Sequence, residues 1–587
     1  MLSHPRTSAH TATASPTPPP RPRGAQLSAN SPRTLFGADN RPALADLQLP
    51  GPRREREGRG GAVATADTLR LLVRSPLLMA FTEAIPRRRT GRPPAVPDVF
   101  WVFYLAAMRY FSSAEKLDQE LRSHWLLVRE EFWFEHEVLL PDAKANGDVP
   151  NSDDFRKWRT RNVLTRERRL AVLQTQLTTV SLPLALAIRR AEGGEAPREL
   201  HTPEVWDCIA ADGSVFNAPS DVREEVVCDD DGEVLARTII GSRAKDPARA
   251  RVHHEVNANP NKPHGATQGL FNVAAVTKGR GSYTRVVLGV DIGEPGEGES
   301  PIAMRVLRGV YDQAGHTFPV LLYDGAVTPL LYQELTAAYG IYCVNANHAR
   351  PRGKTEPQVT AGPTGPQTPV GYGTHRYGRK KGQQKPTYST PLPSLNHHAD
   401  GYVHQHHLVA DDGAVYETNR PAHAGGNIHK TALLRPQRLE RLTDDSGEYY
   451  LRLTLTAPCE YGTPYEVSYD LRKTPLNSDG HLPWRELVSN IRVLPDALTE
   501  QYAEVFGQRN QIESFFSWLE RCFWVKDRHA SWGRDAQLLD LLGASLLHNS
   551  TAWAHLAYRH PHHAQELRKQ LNEIAYGPDR EPFASSA

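Results

Sequence analysis

The chain has 587 residues, 39% hydrophobic and 23% charged, the balance of an ordinary globular protein and long enough for roughly three to four domains. A net charge of +2 announces no global polyanion partner, so a nucleic-acid surface has to be local. Cys208, Cys228, Cys343, Cys459 and Cys522 are scattered without a C-x-x-C pair, which argues against a disulfide framework or a thiolate zinc site and fits a reducing cytoplasm.

Residues 1–64, with PTPPPRPRG and GPRREREGRGG, are too poor in apolar residues to offset chain entropy and read as a disordered tail. No apolar signal core stands at the N-terminus, and no apolar run reaches the roughly 18 to 20 residues of a membrane span. Residues 65–200 read as a helical region. LRLLVRSPLLMAFTEAI is one amphipathic run, Ser112 and Ser113 can cap the next helix ahead of Glu115, and DFRKWRTRNVLTRERRLAVLQTQL adds a helix dense in arginine.

Residues 201–350 change character. VWDCIA is a short strand ending at Asp212-Gly213. LFNVAAVTK and YTRVVLGVD flank GRGS as a hairpin. SPIAMRVLRGVYDQAG is a helix, FPVLLYD a buried strand, PLLYQELTAAYG a helix and IYCVNA a strand. This order, β, β, β, α, β, α, β, predicts a mixed sheet with helices packed on it. Residues 351–495 read as a loop followed by a β-rich insertion, with runs such as GYVHQHHLVA, YYLRLTLTA, YEVSYDLR and SNIRVLP. Helices resume over 496–560, and 561–587 reads as a polar tail.

Three acids stand where such elements would present them. Asp212 follows the first strand, Asp324 ends FPVLLYD, and Glu513 rides GQRNQIESFFSWLERCFW, whose Ile512, Phe515, Phe516, Leu519 and Phe523 repeat with a helical period. Like charges held close raise one another's pKa unless a cation compensates. Hard carboxylate oxygens select Mg²⁺ or Mn²⁺, and two such ions about 3.5 to 4 Å apart serve phosphoryl transfer. Each acid also has an ordinary reading: Asp-Gly is a turn dipeptide, and Glu513 with Arg509 is an i, i+4 ion pair worth a few tenths of a kcal/mol.

The segments IAADGSVF, LLYDGAV and RNQIESFFSWLE, with RHASWGRDAQLLDLLGASLLHN downstream, resemble those of DDE transposases of bacterial insertion sequences. The GRPP entry and SSAEKL helix resemble the segment that precedes many such cores, so the likeness covers roughly residues 90 to 550. It implies an α/β fold: a ribonuclease H-like mixed sheet with flanking helices, a helical N-terminal DNA-binding region and a β-rich insertion before the glutamate. It implies Asp212, Asp324 and Glu513 as catalytic and metal-binding residues for two Mg²⁺ (or Mn²⁺) ions. Double-stranded DNA, as element ends and target, would be the partner, bound by a homodimer or larger assembly in the bacterial cytoplasm at the nucleoid. One branch carries Y-x2-R-x3-E-x6-K. Here Arg509 and Glu513 match, while Phe506 stands at the Tyr position and Glu520 at the Lys position. Glu520 would repel a phosphate, so the phosphate-holding role of that Tyr and Lys would fall to Arg521 or Lys526 or be lost, with Arg509 a further DNA-binding candidate. A non-catalytic DNA-binding relic and a ribonuclease H-like metal-dependent nuclease are the alternatives.

Other features stand beside these. Asp291 begins the loop DIGEPGEGE or is a fourth rim acid; His253 and His254 read as solvated strand residues or face the site. His397, His398, His404, His406 and His407 read as a polar strand-and-loop region, with a metal site as the minor reading. RYGRKKGQQK offers Arg379, Lys380, Lys381 and Lys385 to DNA phosphates, against a solvated loop. Arg156, Arg159, Arg161, Arg166, Arg168 and Arg169 form a second basic candidate, and Trp518 and Trp524 pack in a helix core or stack on a base.

Overall fold

The computed structural model describes residues 46–47, 61–85, 94–111, 113–165, 168–194, 199–217, 223–228, 234–240, 250–253, 266–323, 329–345, 371–374, 384–387, 390–399, 401–411, 413–421, 429–473, 491–495, 497–522 and 531–576. The sequence-predicted site residues Asp324, Arg379, Lys380, Lys381 and Lys526 lie outside them, and of Arg521 only the backbone is described.

The N-terminal helices are α1 (Gly61–Arg74), α2 (Pro76–Thr82), α3 (Asp98–Ala107), α4 (Ala114–His136), α5 (Ser152–Arg159) and α6 (Arg169–Ala191). The single amphipathic run expected over the first two is broken at Ser75-Pro76. Proline suits a first helical turn and cannot continue a preceding one, so α2 starts afresh with Pro76 at its N-terminus. Ser113 caps α4 as expected, its side chain accepting from the backbone N–H of Lys116 at 3.1 Å. The helix α3 is apolar all round and buried from Val99 to Ala107, as a core helix must be. A bidentate pair, Arg74 to Glu131 at 2.8 Å for each bond, locks α1 to α4.

The sheet carries β1 (Cys208–Asn217), β4 (Ala250–His253), β5 (Ala266–Lys278), β6 (Arg285–Ile292), β7 (Val320–Leu322) and β8 (Tyr342–Val344). Its order is β6-β5-β1-β7-β8, with β4 beside the start of β5. β5 runs antiparallel to β1, with Asp212 opposite Ala274, while β7 and β8 run parallel to β1. The helices α7 (Glu299–Ala314) and α8 (Pro329–Tyr339) cross between the parallel strands, as parallel pairing requires. The expected alternation is present, with two additions: a separate hairpin of β2 (Arg223–Cys228) and β3 (Val234–Ile240), and the short strand β4, which stand between β1 and β5.

The β-rich insertion is also present. It holds β9 (Gly371–Thr374) to β15 (Lys430–Leu433) in small antiparallel sheets, then a three-stranded sheet of β16 (Arg435–Thr443), β17 (Tyr449–Ala457) and β18 (Tyr465–Leu471). SNIRVLP, expected as a strand, pairs with no strand in its described residues 491–495. The last sheet docks on α8. Arg441 donates to the carbonyl of Gly340 at 2.7 Å, and Gly340 sits at φ +63°, where a Cβ would meet the Arg441 Cδ at 2.5 Å. Only glycine suits both demands.

The chain closes with α9 (Thr499–Phe506), α10 (Asn510–Cys522), α11 (Arg534–Arg559) and α12 (Pro561–Tyr576). The last corrects the expected polar tail: Ala564, Leu567, Leu571 and Ala575 form a buried stripe whose three- and four-residue steps are those of a helix face. The helix α6 reaches the length and mean hydropathy, 1.4, of a membrane-crossing helix, contrary to the reading of its sequence, but Leu173, Leu177, Val180, Leu184 and Ile188 are buried in the protein core. Thr178 of α6 donates to the carbonyl of Leu288 at 2.8 Å, and Asn549 of α11 holds Val287 in the manner of a strand partner. Its Oδ1 accepts the Val287 N–H at 2.8 Å and its Nδ2 donates to the Val287 carbonyl at 2.9 Å and to Ser181 of α6 at 2.8 Å.

Candidate functional site

Asp212 lies inside β1 rather than after it. The strand runs through Asp212-Gly213 to Asn217, because β5 offers partners as far as Gly269. This corrects the turn reading of that dipeptide: cross-strand pairing overrides the local preference. Side chains alternate along β1, and Phe216, two steps of two from Asp212, meets Phe516 of α10 with ring centroids 6.2 Å apart. Asp212 therefore faces α10.

That helix is held down by Ile512, Phe515, Phe516 and Leu519, all buried. Trp518 packs against Phe515 and His548, which answers for its role as a core residue. Arg285 of β6 reaches across to Gln511 and Ser514 at 3.2 and 3.0 Å, and burial pushes its guanidinium down to about 10. On the flank of α10 beside its apolar stripe stand Glu513 and, in the short 3₁₀ turn Gly507–Arg509 before it, Arg509.

Arg509 joins the two acids. Its Nη1 donates to Glu513 Oε1 at 2.8 Å, and its Nη2 donates to Asp212 Oδ2 at 2.8 Å from 297 residues away in sequence. The other Asp212 oxygen accepts the Gly213 N–H at 2.9 Å. Two such bonds on one rigid, planar guanidinium bring these carboxylates within about 8 Å of each other. The i, i+4 pair of Arg509 and Glu513 is thus real, but it is half of a three-part arrangement. Asp212 has a side chain only 12% exposed, and Glu513 keeps 52%, so one acid is fixed in the sheet and the other remains open to solvent.

Asp324 follows Leu322 by two residues in sequence, as Asp212 follows Ala210, and Ala210 and Leu322 are partners in the parallel β1–β7 register. Among the described residues no three His, Cys, Asp or Glu side chains gather to hold an ion. That statement reaches the histidines of the insertion. His406 instead bonds Glu417 at 2.6 Å and stacks on Tyr465 at 3.9 Å, and His404 stacks on Tyr461.

Asp291 is a strand residue, not the start of a loop, and it is 4% exposed. It accepts from Gln174 at 3.0 Å and Arg305 at 2.8 Å, with Arg534 at 3.6 Å. Two arginines and an amide make it a structural anchor for α6, α7 and α11. The arginine-rich segment divides. Arg156 is exposed and paired with Asp153, while Arg159 turns in to Ser531 at 3.0 Å and Arg169 is buried. Arg166 lies outside the described residues, as do His254 and Trp524.

The sequence reading passes over Glu299, the first residue of α7. Its carboxylate accepts the Tyr323 hydroxyl at 2.8 Å and lies against Gly213. An acid opening a helix is an ordinary sight, and nothing in a single sequence pairs it with a strand more than eighty residues upstream. No family model, no curated protein and no solved structure matches this chain, so the site is read from its own geometry.

Proposed function

We propose that this protein is a DDE-type DNA transposase with a ribonuclease H-like core, acting through Asp212, Asp324 and Glu513. The observation that carries the reading is the meeting of Asp212 and Glu513 on the guanidinium of Arg509, which stands 297 residues from Asp212 in sequence. A β-rich insertion separates the strands from the glutamate helix, and the sheet order β6-β5-β1-β7-β8 with only β5 reversed supports the ribonuclease H-like core.

The acids suit hard divalent cations. Carboxylate oxygens are the donors Mg²⁺ and Mn²⁺ favour, and Asp212 and Glu513 already share a positive group. Two such ions, when bound, would supply an activated water or 3′-hydroxyl and stabilise the leaving oxygen. The chain's own part is to hold the acids. Asp212 is fixed by β1 and the Gly213 N–H, Glu513 by the buried stripe of α10, and Arg509 balances their charge. Arg509, Arg521, Lys526 and the basic run at Arg379, Lys380 and Lys381 are the proposed phosphate contacts. Double-stranded DNA is the proposed substrate, and a dimer or larger assembly would bring two ends together.

The test uses duplexes drawn from the DNA flanking the gene, incubated with purified protein and Mn²⁺ or Mg²⁺. Strand cleavage and joined products are expected from the wild type. Asp212→Asn and Glu513→Gln should lose cleavage by at least a hundredfold while retaining binding to the same duplex. Cleavage retained in either variant overturns the site. Cleavage without joined products would assign a nuclease, and binding without cleavage in the wild type would assign a DNA-binding relic.

A further inference from the structure

We infer that the tip of the β5–β6 hairpin and the end of α11 form a second DNA-contact surface. On it Arg559 and Lys278 hold the phosphate backbone, and His555 adds a hydrogen bond once Tyr283 moves aside. The inference rests on the DNA-binding part of the proposed function and not on its three acids. Asp212 stands opposite Ala274 on β5, and Gly279 lies five residues beyond Ala274, about 17 Å away at roughly 3.3 Å per residue. The surface is therefore at the other end of these strands from Asp212.

The two acids at this end are already engaged. Glu192, just past α6, accepts the backbone N–H of Arg280 at 2.5 Å and that of Gly281 at 2.8 Å. Glu204 accepts from the Arg280 guanidinium at 2.5 Å. Arg559 and Lys278, by contrast, make no ion pair among the described residues, and Arg559 is exposed. Its Nη1 reaches the hairpin tip, 3.2 Å from where a Cβ on Gly281 would stand. Burial, then the charge of Arg285, lowers the Lys278 ammonium below its usual range, with Glu192 answering only in part. An arriving phosphate offsets that cost.

His555 stands one helical turn before Arg559, on the same face of α11. It is 7% exposed, and both ring nitrogens lack a hydrogen-bond partner. Buried polar groups in folded proteins are nearly always bonded, so this imidazole points to a group from outside the chain. Burial, then the charge of Arg559, pushes it from 6.5 down to about 4. The neutral ring has one N–H to donate, and a phosphodiester oxygen accepts. Tyr283 covers the ring face, stacked at 4.2 Å with the planes 1° apart. It does so from a left-handed backbone, φ +61°, which strains a residue that carries a side chain. A strained cover over an unbonded donor gives way readily when a phosphate settles on Arg559.

The experiment is fluorescence anisotropy of the full chain with a labelled duplex of random sequence, at NaCl concentrations from about 50 to 200 mM. The slope of log affinity against log salt should fall by about 0.9 in Arg559→Gln, and likewise in Lys278→Gln, for each lost phosphate contact. His555→Phe keeps the stack on Tyr283 and removes the donor. It should weaken binding about threefold with the slope unchanged, since a neutral group releases no counterion. Arg308→Gln, on α7 and paired with Glu334 at 2.9 Å, should match the wild type in both. Arg559→Gln with wild-type slope and affinity overturns the surface and leaves the cleavage reading standing. A slope in Arg308→Gln that falls as far as in Arg559→Gln shows a diffuse effect of net charge and overturns it too. Unchanged binding by His555→Phe overturns the part given to His555 and Tyr283. A wild type that binds the duplex and cleaves nothing overturns the phosphoryl-transfer reading alone. One that binds no duplex at the lowest salt overturns both.

Discussion

Arg509→Gln should bind divalent cations more tightly than the wild type while cleaving DNA less well. Arg509 donates at 2.8 Å to Asp212 and at 2.8 Å to Glu513. Ions that take up these carboxylates have to displace it. The Asp212 bond is the costly one to break, since that side chain is 12% exposed; a charge-assisted bond in such a place is worth about 1.5 kcal/mol or somewhat more. The Glu513 bond, with that side chain 52% exposed, is screened and adds only a few tenths of a kcal/mol. Removing the competitor should therefore tighten Mn²⁺ binding about tenfold, as 1.4 kcal/mol is one decade in an equilibrium constant. On the proposed reading the displaced guanidinium turns to a phosphate, so the same substitution should slow cleavage. Calorimetric titration of metal-free wild type and Arg509→Gln with Mn²⁺, without DNA, reads the first effect directly. Equal or weaker binding by the variant would refute the competition and leave Arg509 as a plain structural link.

Other substitutions test the frame around the site. Asn549→Ala removes both bonds to Val287 and the one to Ser181; it should cost about 3 kcal/mol, seen as a lower urea midpoint, and a loss below about 1 kcal/mol would show that water replaces the amide. Gly340→Ala puts a Cβ at φ +63° against Arg441 and should cost about 1 to 3 kcal/mol, with the insertion sheet losing hydrogen-exchange protection first. Burial, then the charge of Arg285, pushes the His548 imidazole from 6.5 down to about 3. The unfolded chain takes up a proton below about pH 6.5 that the folded ring refuses, so this contribution is complete above that pH and lost on the way down to about 3. Because the residue keeps some contact with water, we expect a loss on the order of 2 kcal/mol between pH 6.5 and 4.5. Urea unfolding at both pH values should show it in the wild type and not in His548→Gln.

The sheet was legible because its buried strands are continuous apolar runs and its helices carry clear periodicity. LFNVAAVTK, YTRVVLGVD and IAMRVLRGV each declare one element. The β2–β3 hairpin was not, since REEVVC and VLARTII are short, lack a strong alternation and are joined in sequence by the acidic run DDDGE. The polar tail hid α12 because four small or medium apolar residues among histidines, lysines and glutamates weigh little by composition, although their spacing was helical. At the site, Arg509 and Glu513 could be paired from a four-residue spacing. Their meeting with Asp212 needed the order of strands, which a hairpin and an insertion conceal. Glu299 was invisible for a different reason: the room its side chain occupies is the Cβ that Gly213 lacks.

The 297 residues between Asp212 and Arg509 also set a clock. A ribosome adding about 5 to 20 residues per second needs roughly 15 to 60 s to travel from one to the other. During that interval the sheet can form with Asp212 on it and no arginine to answer its charge. Any product of premature termination in the insertion keeps the strands but lacks Arg509 and Glu513 altogether. Such a fragment would carry one half of the constellation without the other, so the order of synthesis itself holds the two halves apart until the chain is nearly whole.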